Sequence, residues 1–301
     1  MLPCLFFVLS AAFFGAAQEP PTGAPAGSDP EALALFQQVA RAQLVAGKPS
    51  PVQGFSLKLT VRNRSEGSQD VDIFLAYRQD PKNEYLKVSF QDNQRGTRVE
   101  QGFDGRRYWL LDEDKKFQDL SAHAYARDRE RIDDSLDLCA ELLLLLDLQS
   151  LQHRARELEI WTGEYGGRAL RGVLPRRSER WVFVLHLDKA EQQALALDLI
   201  PPAPPLLQSQ DGEAQSQSEP PSANAENAEN RLERYLPRRF ELRYPKAFEG
   251  RLVPREIREF TGEERQYPSR ILELHRFHWQ SPPPLESFQG RPKNSKPDSR
   301  D

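Results

Sequence analysis

In the stretch Phe55-Ser-Leu-Lys-Leu-Thr-Val61, apolar and polar residues alternate along the whole length, and this pattern indicates the class of fold. This period of two is the pattern of a strand with one buried face. The stretch Val71-Asp-Ile-Phe-Leu-Ala-Tyr77 repeats the pattern after a polar turn. Four further strands are predicted at 86–90, 99–103, 108–111 and 117–120. Since short turns join all six, the sequence predicts an antiparallel meander.

Two helices are predicted around this meander. Asp29 and Pro30 provide an N-cap and a first helical residue for a helix that runs to about Ala46. A second helical region spans residues 122–153, and in it Asp133, Asp134 or Ser135 caps a leucine-rich part. The apolar stripe of that part is wide, which predicts that it packs against a sheet. The stripe consists of Leu136, Cys139, Leu142, Leu143, Leu144, Leu145 and Leu146.

The chain then returns to strand patterns. Strands are predicted at 158–161, 168–174, 181–187 and 194–200, and again at 240–244, 252–260 and 271–279. The strand at 181–187 is apolar on both faces, which indicates a position inside the sheet. The sequence therefore predicts an α+β protein that is mainly β.

The first seventeen residues resemble a secretory signal peptide. Leu5 to Phe14 is an apolar core too short to span a bilayer, and Gly15-Ala16-Ala17 provides small residues for cleavage. We therefore expect an exported protein, periplasmic or secreted, that is soluble after signal cleavage and has no transmembrane segment in the mature chain. Cys4 leaves with the signal, so Cys139 remains alone and no internal disulfide is expected.

Composition divides the rest of the chain. Residues 18–30 form a flexible leader rich in Pro and Gly, and residues 289–301 a disordered polar tail. Residues 201–230 contain five acids and no base, which predicts a disordered acidic insertion. Without this insertion the formal net charge of −4 becomes about +1. This balance excludes a strongly basic nucleic-acid binder. One folded domain is expected over residues 31–288.

The patterns of catalytic and metal sites are missing from the sequence. No glycine-rich phosphate loop, Gly-x-Ser-x-Gly motif or Cys-x-x-Cys pair occurs. His275 and His278 are three residues apart in a predicted strand, so their side chains point to opposite faces. We therefore predict that the protein is not an enzyme, and we assign no catalytic residue, metal site or cofactor.

Three stretches carry a resemblance to a known family. They are Gln101 to Asp112 (QGFDGRRYWLLD), Phe74 to Pro81 followed by Tyr85 to Val88, and Val253 to Ile257 with the region from Arg270 to Phe288. Together with the order of the elements, they resemble the LolA-like superfamily, which includes periplasmic lipoprotein carriers and outer-membrane lipoprotein-sorting proteins. The resemblance covers most of residues 31–288.

The resemblance implies a fold and a function. The fold is a curved antiparallel sheet, an incomplete barrel, closed by an N-terminal helix and a leucine-rich helix. The function is the non-enzymatic binding of a lipid, acyl chain or lipoprotein in an apolar cavity, for carriage or sensing. The candidate cavity residues are Leu57, Leu59, Ile73, Leu75, Tyr77, Leu86, Val88, Phe90, Trp109, Leu143 and Leu146.

The alternation by itself favours residues that only fill a core, and the cavity follows from the resemblance alone. In that alternative, the protein is an interaction or envelope-regulatory module of the same fold with no small ligand. The expected partners are therefore lipid or lipoprotein acyl chains, or an envelope protein, and no nucleic acid.

Overall fold

The computed structural model describes residues 27–45, 54–63, 70–80, 83–92, 97–176, 179–202, 236–262, 266–279 and 283–290. The predicted signal peptide lies outside the described residues, as do most of the leader, the insertion and the tail.

The described chain folds into three α-helices and thirteen strands, with a short 3₁₀ turn before the second helix and another after the last strand. The helices are α1 (Pro30–Ala42), α2 (Ala126–Leu146) and α3 (Leu148–Arg154). The strands are β1 (Gly54–Asn63), β2 (Val71–Gln79), β3 (Glu84–Asp92), β4 (Thr97–Phe103), β5 (Tyr108–Leu111), β6 (Phe117–Asp119), β7 (Arg156–Thr162), β8 (Arg168–Arg176), β9 (Glu179–Leu187), β10 (Ala194–Ile200), β11 (Arg238–Phe248), β12 (Arg251–Thr261) and β13 (Arg270–His278).

All thirteen strands belong to one antiparallel sheet, in the order β6-β5-β4-β3-β2-β1-β13-β12-β11-β10-β9-β8-β7. The last strand, β13, pairs with both β1 and β12 and so joins the two meanders. Among the described residues β6 and β7 do not pair with each other, so the sheet stays open. The predicted fold class, mainly β with an incomplete barrel and helices, is confirmed.

The sheet bends around α2. The inner face carries the buried positions of the alternating strands, with Leu57 of β1 paired to Leu75 of β2 and Phe277 of β13. Helix α2 contacts β3 and β4, and it also lines a cavity with residues of β8, β9 and β10. Contact with both halves of the sheet places α2 across the opening, as a lid on the inner face. None of the helices among the described residues is long and apolar enough to cross a membrane.

Helix α1 begins as predicted and ends early. The side chain of Asp29 accepts a hydrogen bond from the backbone N–H of Glu31 at 2.9 Å, which confirms the N-cap. The helix ends at Ala42 and does not reach Ala46. Leu44 instead forms a β-bridge with Arg251 at the start of β12. There the backbone N–H of Leu252 donates to the carbonyl of Gln43 and that of Val45 to the carbonyl of Gly250, both at 2.7 Å.

The predicted start of the leucine-rich helix is wrong. Asp133, Asp134 and Ser135 do not cap it, because α2 is already helical from Ala126. The carboxylate of Asp133 accepts a hydrogen bond from the Tyr108 hydroxyl of β5 at 2.9 Å, so it attaches the helix to the sheet. The chain breaks instead after Leu146, where α3 begins.

Candidate functional site

The structure places the sequence-predicted cavity residues in the core. Ten of the eleven belong to the core that β1, β2, β3 and α2 share or pack against it: Leu57, Leu59, Ile73, Leu75, Tyr77, Leu86, Val88, Phe90, Leu143 and Leu146. Trp109 lies apart from them. Its ring is so close to Gly102 and Gly290 that a Cβ atom at either glycine would meet it within 2.7 Å. Whether the other ten face a ligand in another state stays a prediction.

Two cavities flank the last turn of α2. The first, which we call the uncharged cavity, has a volume of about 60 Å³ and lies between α1, the β9–β10 turn and the β11–β12 hairpin. Its walls carry no charged residue and include Leu145, Leu148, Leu195, Leu242 and Val253.

The second, which we call the charged cavity, has a volume of about 130 Å³ and lies between the β2–β3 hairpin, α2, and the strands β8 to β10. Its apolar walls are Leu144, Leu174, Trp181 and Leu199. Its polar walls are Gln79, Glu84, Asp137, Glu141 and Arg154.

The two cavities lie close to one another. Leu144 lines the charged cavity and Leu145, the next residue, lines the uncharged one. Along β10, Leu199 and Leu195 line the same two cavities, and four residues of strand correspond to about 13 Å. Both volumes are below the roughly 300 Å³ at which ligand pockets begin. In this structure the last turn of α2 separates the two spaces.

Buried ion pairs attach α2 to the second half of the sheet. Glu141 of α2 is bonded to Arg238 of β11, and Asp147, between α2 and α3, to Arg251 of β12. Both carboxylates are only 1 % exposed. Such pairs contribute little net stability, yet removing one partner is costly, because it leaves the other charge buried. They therefore fix where α2 lies more than they stabilise the fold.

Gln43 holds the junction of the two helices. Its side-chain amide donates to the carbonyl of Leu146 and accepts from the backbone N–H of Leu148, both at 3.0 Å. These bonds satisfy a carbonyl at the end of α2 and an N–H at the start of α3. Gln43 also lines the uncharged cavity, so the junction and the cavity share a wall.

The charged cavity has a defined hydrogen-bond pattern. The hydroxyl of the buried Tyr77 donates to Glu84 at 2.8 Å. Burial, and then the negative charge of Glu84, raise the pKa of Tyr77, so its hydroxyl remains a donor. Arg154, at the end of α3, donates to the side-chain oxygen of Gln79. Tyr77 is one of the sequence-predicted residues. The sequence did not reveal Gln79, Glu84 or Arg154, because no shared spacing connects them.

A second polar cluster lies on β9, β10 and the β7–β8 turn. Single ligand atoms of Glu164, His186 and Asp198 lie within 4.8 Å of one another, as a metal site would need. The guanidinium of Arg239 already approaches two of them, at 2.7 Å from Glu164 and 3.7 Å from Asp198. This cation neutralises part of the charge that a metal ion would require, so we assign the cluster to structure.

The described part of the chain folds as an antiparallel half-barrel: its two edge strands do not pair with each other, and helices cover its inner face. No family model and no curated protein sequence matches the chain. As the sequence resemblance predicted, the structure is similar to a LolA superfamily protein, NE2245 from Nitrosomonas europaea, with a TM-score of 0.44 and 8% identity. That likeness covers 86% of this chain and 97% of that chain.

The structure is also similar to that of MucB in complex with MucA(peri), with a TM-score of 0.19 and 12% identity over 81% of this chain and 94% of that one. Since both TM-scores lie below 0.5, neither likeness says what this chain binds.

Proposed function

We propose that this chain is an exported, non-enzymatic protein that binds the apolar tail of a lipid, acyl chain or lipoprotein beneath α2, for carriage or sensing. The observation that carries the proposal is the pair of cavities on either side of Leu144 and Leu145. A shift of this single turn would join the two spaces into one channel, which is apolar around the turn and polar at the end formed by Glu84 and Arg154. None of the eleven sequence-predicted residues lines either cavity in this structure. Ten of them lie in or against the core that the sheet and α2 share, and in this proposal they become part of the wall when α2 lifts.

Burial of an acyl tail should more than offset the loss of the buried contacts of Leu144 and Leu145. Burial of each methylene contributes about 0.8 kcal/mol, and full burial of a leucine side chain about 1.5–3 kcal/mol. The free energy gained by burying a tail of about 14 carbons is therefore larger than the free energy lost when Leu144 and Leu145 give up their buried contacts. The buried pairs at Glu141 and Asp147 keep α2 in register when the tail is absent.

A second candidate is an interaction or envelope-regulatory module with a permanently filled core. The observation that favours it is the small volume of the cavities, about 60 and 130 Å³. In this alternative the leucines of α2 only stabilise the domain, and a protein partner binds elsewhere on the surface.

Acyl-chain binding to the delipidated full chain separates the two candidates. We expect wild type to bind a fluorescent myristoyl probe, and the double variant Leu144→Ala/Leu145→Ala to bind it about tenfold more tightly, because fewer contacts must be displaced. The control Leu151→Ala removes a buried leucine of α3 that lines neither cavity, and should leave the affinity within about twofold.

Thermal unfolding first establishes that each variant folds. If folded wild type and both variants fail to bind the probe, the tail site is refuted and the filled-core module is favoured. Native mass spectrometry of protein purified from its own host gives a further test, since a carrier is expected to retain a lipid.

A further inference from the structure

The polar walls of the charged cavity carry two opposite charges on separate elements. Glu84 begins β3, and Tyr77 holds its carboxylate in place through the 2.8 Å hydrogen bond. Arg154 ends α3, and its guanidinium donates to the uncharged side-chain amide of Gln79. Within the part of the chain that the structure describes, no carboxylate forms an ion pair with Arg154. Its positive charge is therefore less neutralised than that of Arg238, which is bonded to Glu141.

Both signs of charge line the cavity. Glu84 accepts a hydrogen bond from the Tyr77 hydroxyl, and Arg154 is the base among the described lining residues. A purely anionic head on Arg154 would lie beside the Glu84 carboxylate, while a purely cationic head on Glu84 leaves Arg154 without an anion.

We infer that the charged cavity takes the head of a zwitterionic amphiphile, one that carries an ammonium and a phosphate, with the phosphate on Arg154 and the ammonium on Glu84. A guanidinium matches phosphate oxygens through paired N–H donors, and a carboxylate is the natural acceptor for an ammonium. The apolar walls at Leu144, Trp181 and Leu199 direct the tail toward α2. This inference rests on the proposed tail site.

Three probes with the same 14-carbon tail test the inference by titration into the delipidated full chain: lysophosphatidylethanolamine (zwitterionic), lysophosphatidylglycerol (anionic) and tetradecylamine (cationic). Free phosphoethanolamine, which has the head and no tail, shows whether a water-soluble phosphate compound is bound instead of a lipid. The variants are Glu84→Gln, which keeps an acceptor for Tyr77, and Arg154→Gln. The matched controls are the exposed Glu130→Gln and Arg255→Gln.

We expect wild type to bind the zwitterionic probe about tenfold more tightly than the anionic one, and not to bind free phosphoethanolamine at millimolar concentration. Glu84→Gln should weaken the zwitterionic and cationic probes and strengthen the anionic one. Arg154→Gln should weaken both phosphate-bearing probes about tenfold and leave the amine unchanged. These opposite changes differ from the uniform loss that a merely structural role would cause.

Equal affinity of wild type for the zwitterionic and anionic probes would overturn the inference, as would a variant that changes all three affinities alike. Saturable binding of free phosphoethanolamine would assign the cavity to a soluble phosphate compound and also overturn it. If the probes bind without discrimination, the tail site survives alone. If folded wild type binds none of the three, the tail site fails and the inference fails with it.

Discussion

Arg168 connects three elements that are far apart in the sequence. It lies at the start of β8, donates to both carboxylate oxygens of Glu191 at 2.7 and 2.8 Å, and reaches Glu31 of α1 at 2.6 Å. The paired geometry is that of a strong charge-assisted contact. The bond lowers the pKa of the Glu191 carboxyl below its ordinary 4.5.

Glu191→Gln is therefore expected to destabilise the protein in a pH-dependent way. Because the folded-state pKa of Glu191 is lowered, its contribution is fully present above pH 4.5 and is lost as the pH falls through the folded value. The loss at pH 7 should be at most about 1 kcal/mol, since the pair is partly exposed. Urea denaturation of both proteins between pH 7 and pH 3 measures it.

A difference between wild type and Glu191→Gln that stays constant down to pH 3 would contradict this assignment. Glu113→Gln makes the same change of net charge at an exposed turn and provides the control.

Helices and strands were predictable from the sequence where neighbouring residues determine them. The strand at Phe55 to Val61 was predictable because its successive side chains point alternately to the inner face and to the solvent. The break after Leu146 was not, because its partners Gln43 and Arg251 are about a hundred residues away in either direction. The polar walls of the charged cavity, such as Glu84 and Arg154, escaped prediction for the same reason. The alternation correctly predicted that ten of the eleven candidate residues lie in or against the core. It does not distinguish residues that line a ligand cavity from residues that only fill the core.

The attachment of α2 to β11 leads to a prediction about that element. Arg238→Met should destabilise the protein by about 3 kcal/mol, because it removes the guanidinium bonded to the buried Glu141. The double variant Arg238→Met/Glu141→Met removes both charges and should regain most of that loss. Arg255→Met, at an exposed site of β12, is the control. Urea denaturation measures the stability of each variant. If the double variant is no more stable than Arg238→Met, the unpaired charge of Glu141 is not the cause of the lost stability.

The described part of the molecule is one open sheet, and the long helix α2 covers its inner face together with α1, whose Phe36 packs against Phe183 of β9. Thirteen strands leave two edges, and α2 lies between the two halves of the sheet. An open sheet tolerates a change of spacing between its halves more easily than a closed barrel, because in a closed barrel every strand is paired on both sides. The proposed uptake of an acyl tail uses this property, since the space beneath α2 would widen by a shift of this helix and of its ion pairs.

Methyl NMR of the full chain with a spin-labelled acyl chain shows whether an acyl tail lies beneath α2. If the tail lies beneath α2, the label should broaden the methyl signals of Leu144, Leu145, Leu174 and Leu199, which line the two cavities. The same spin label without a tail is the control, and it should leave these signals sharp. Unchanged signals at these four leucines with the tailed probe, or broadening confined to exposed residues such as Leu285, would contradict the claim.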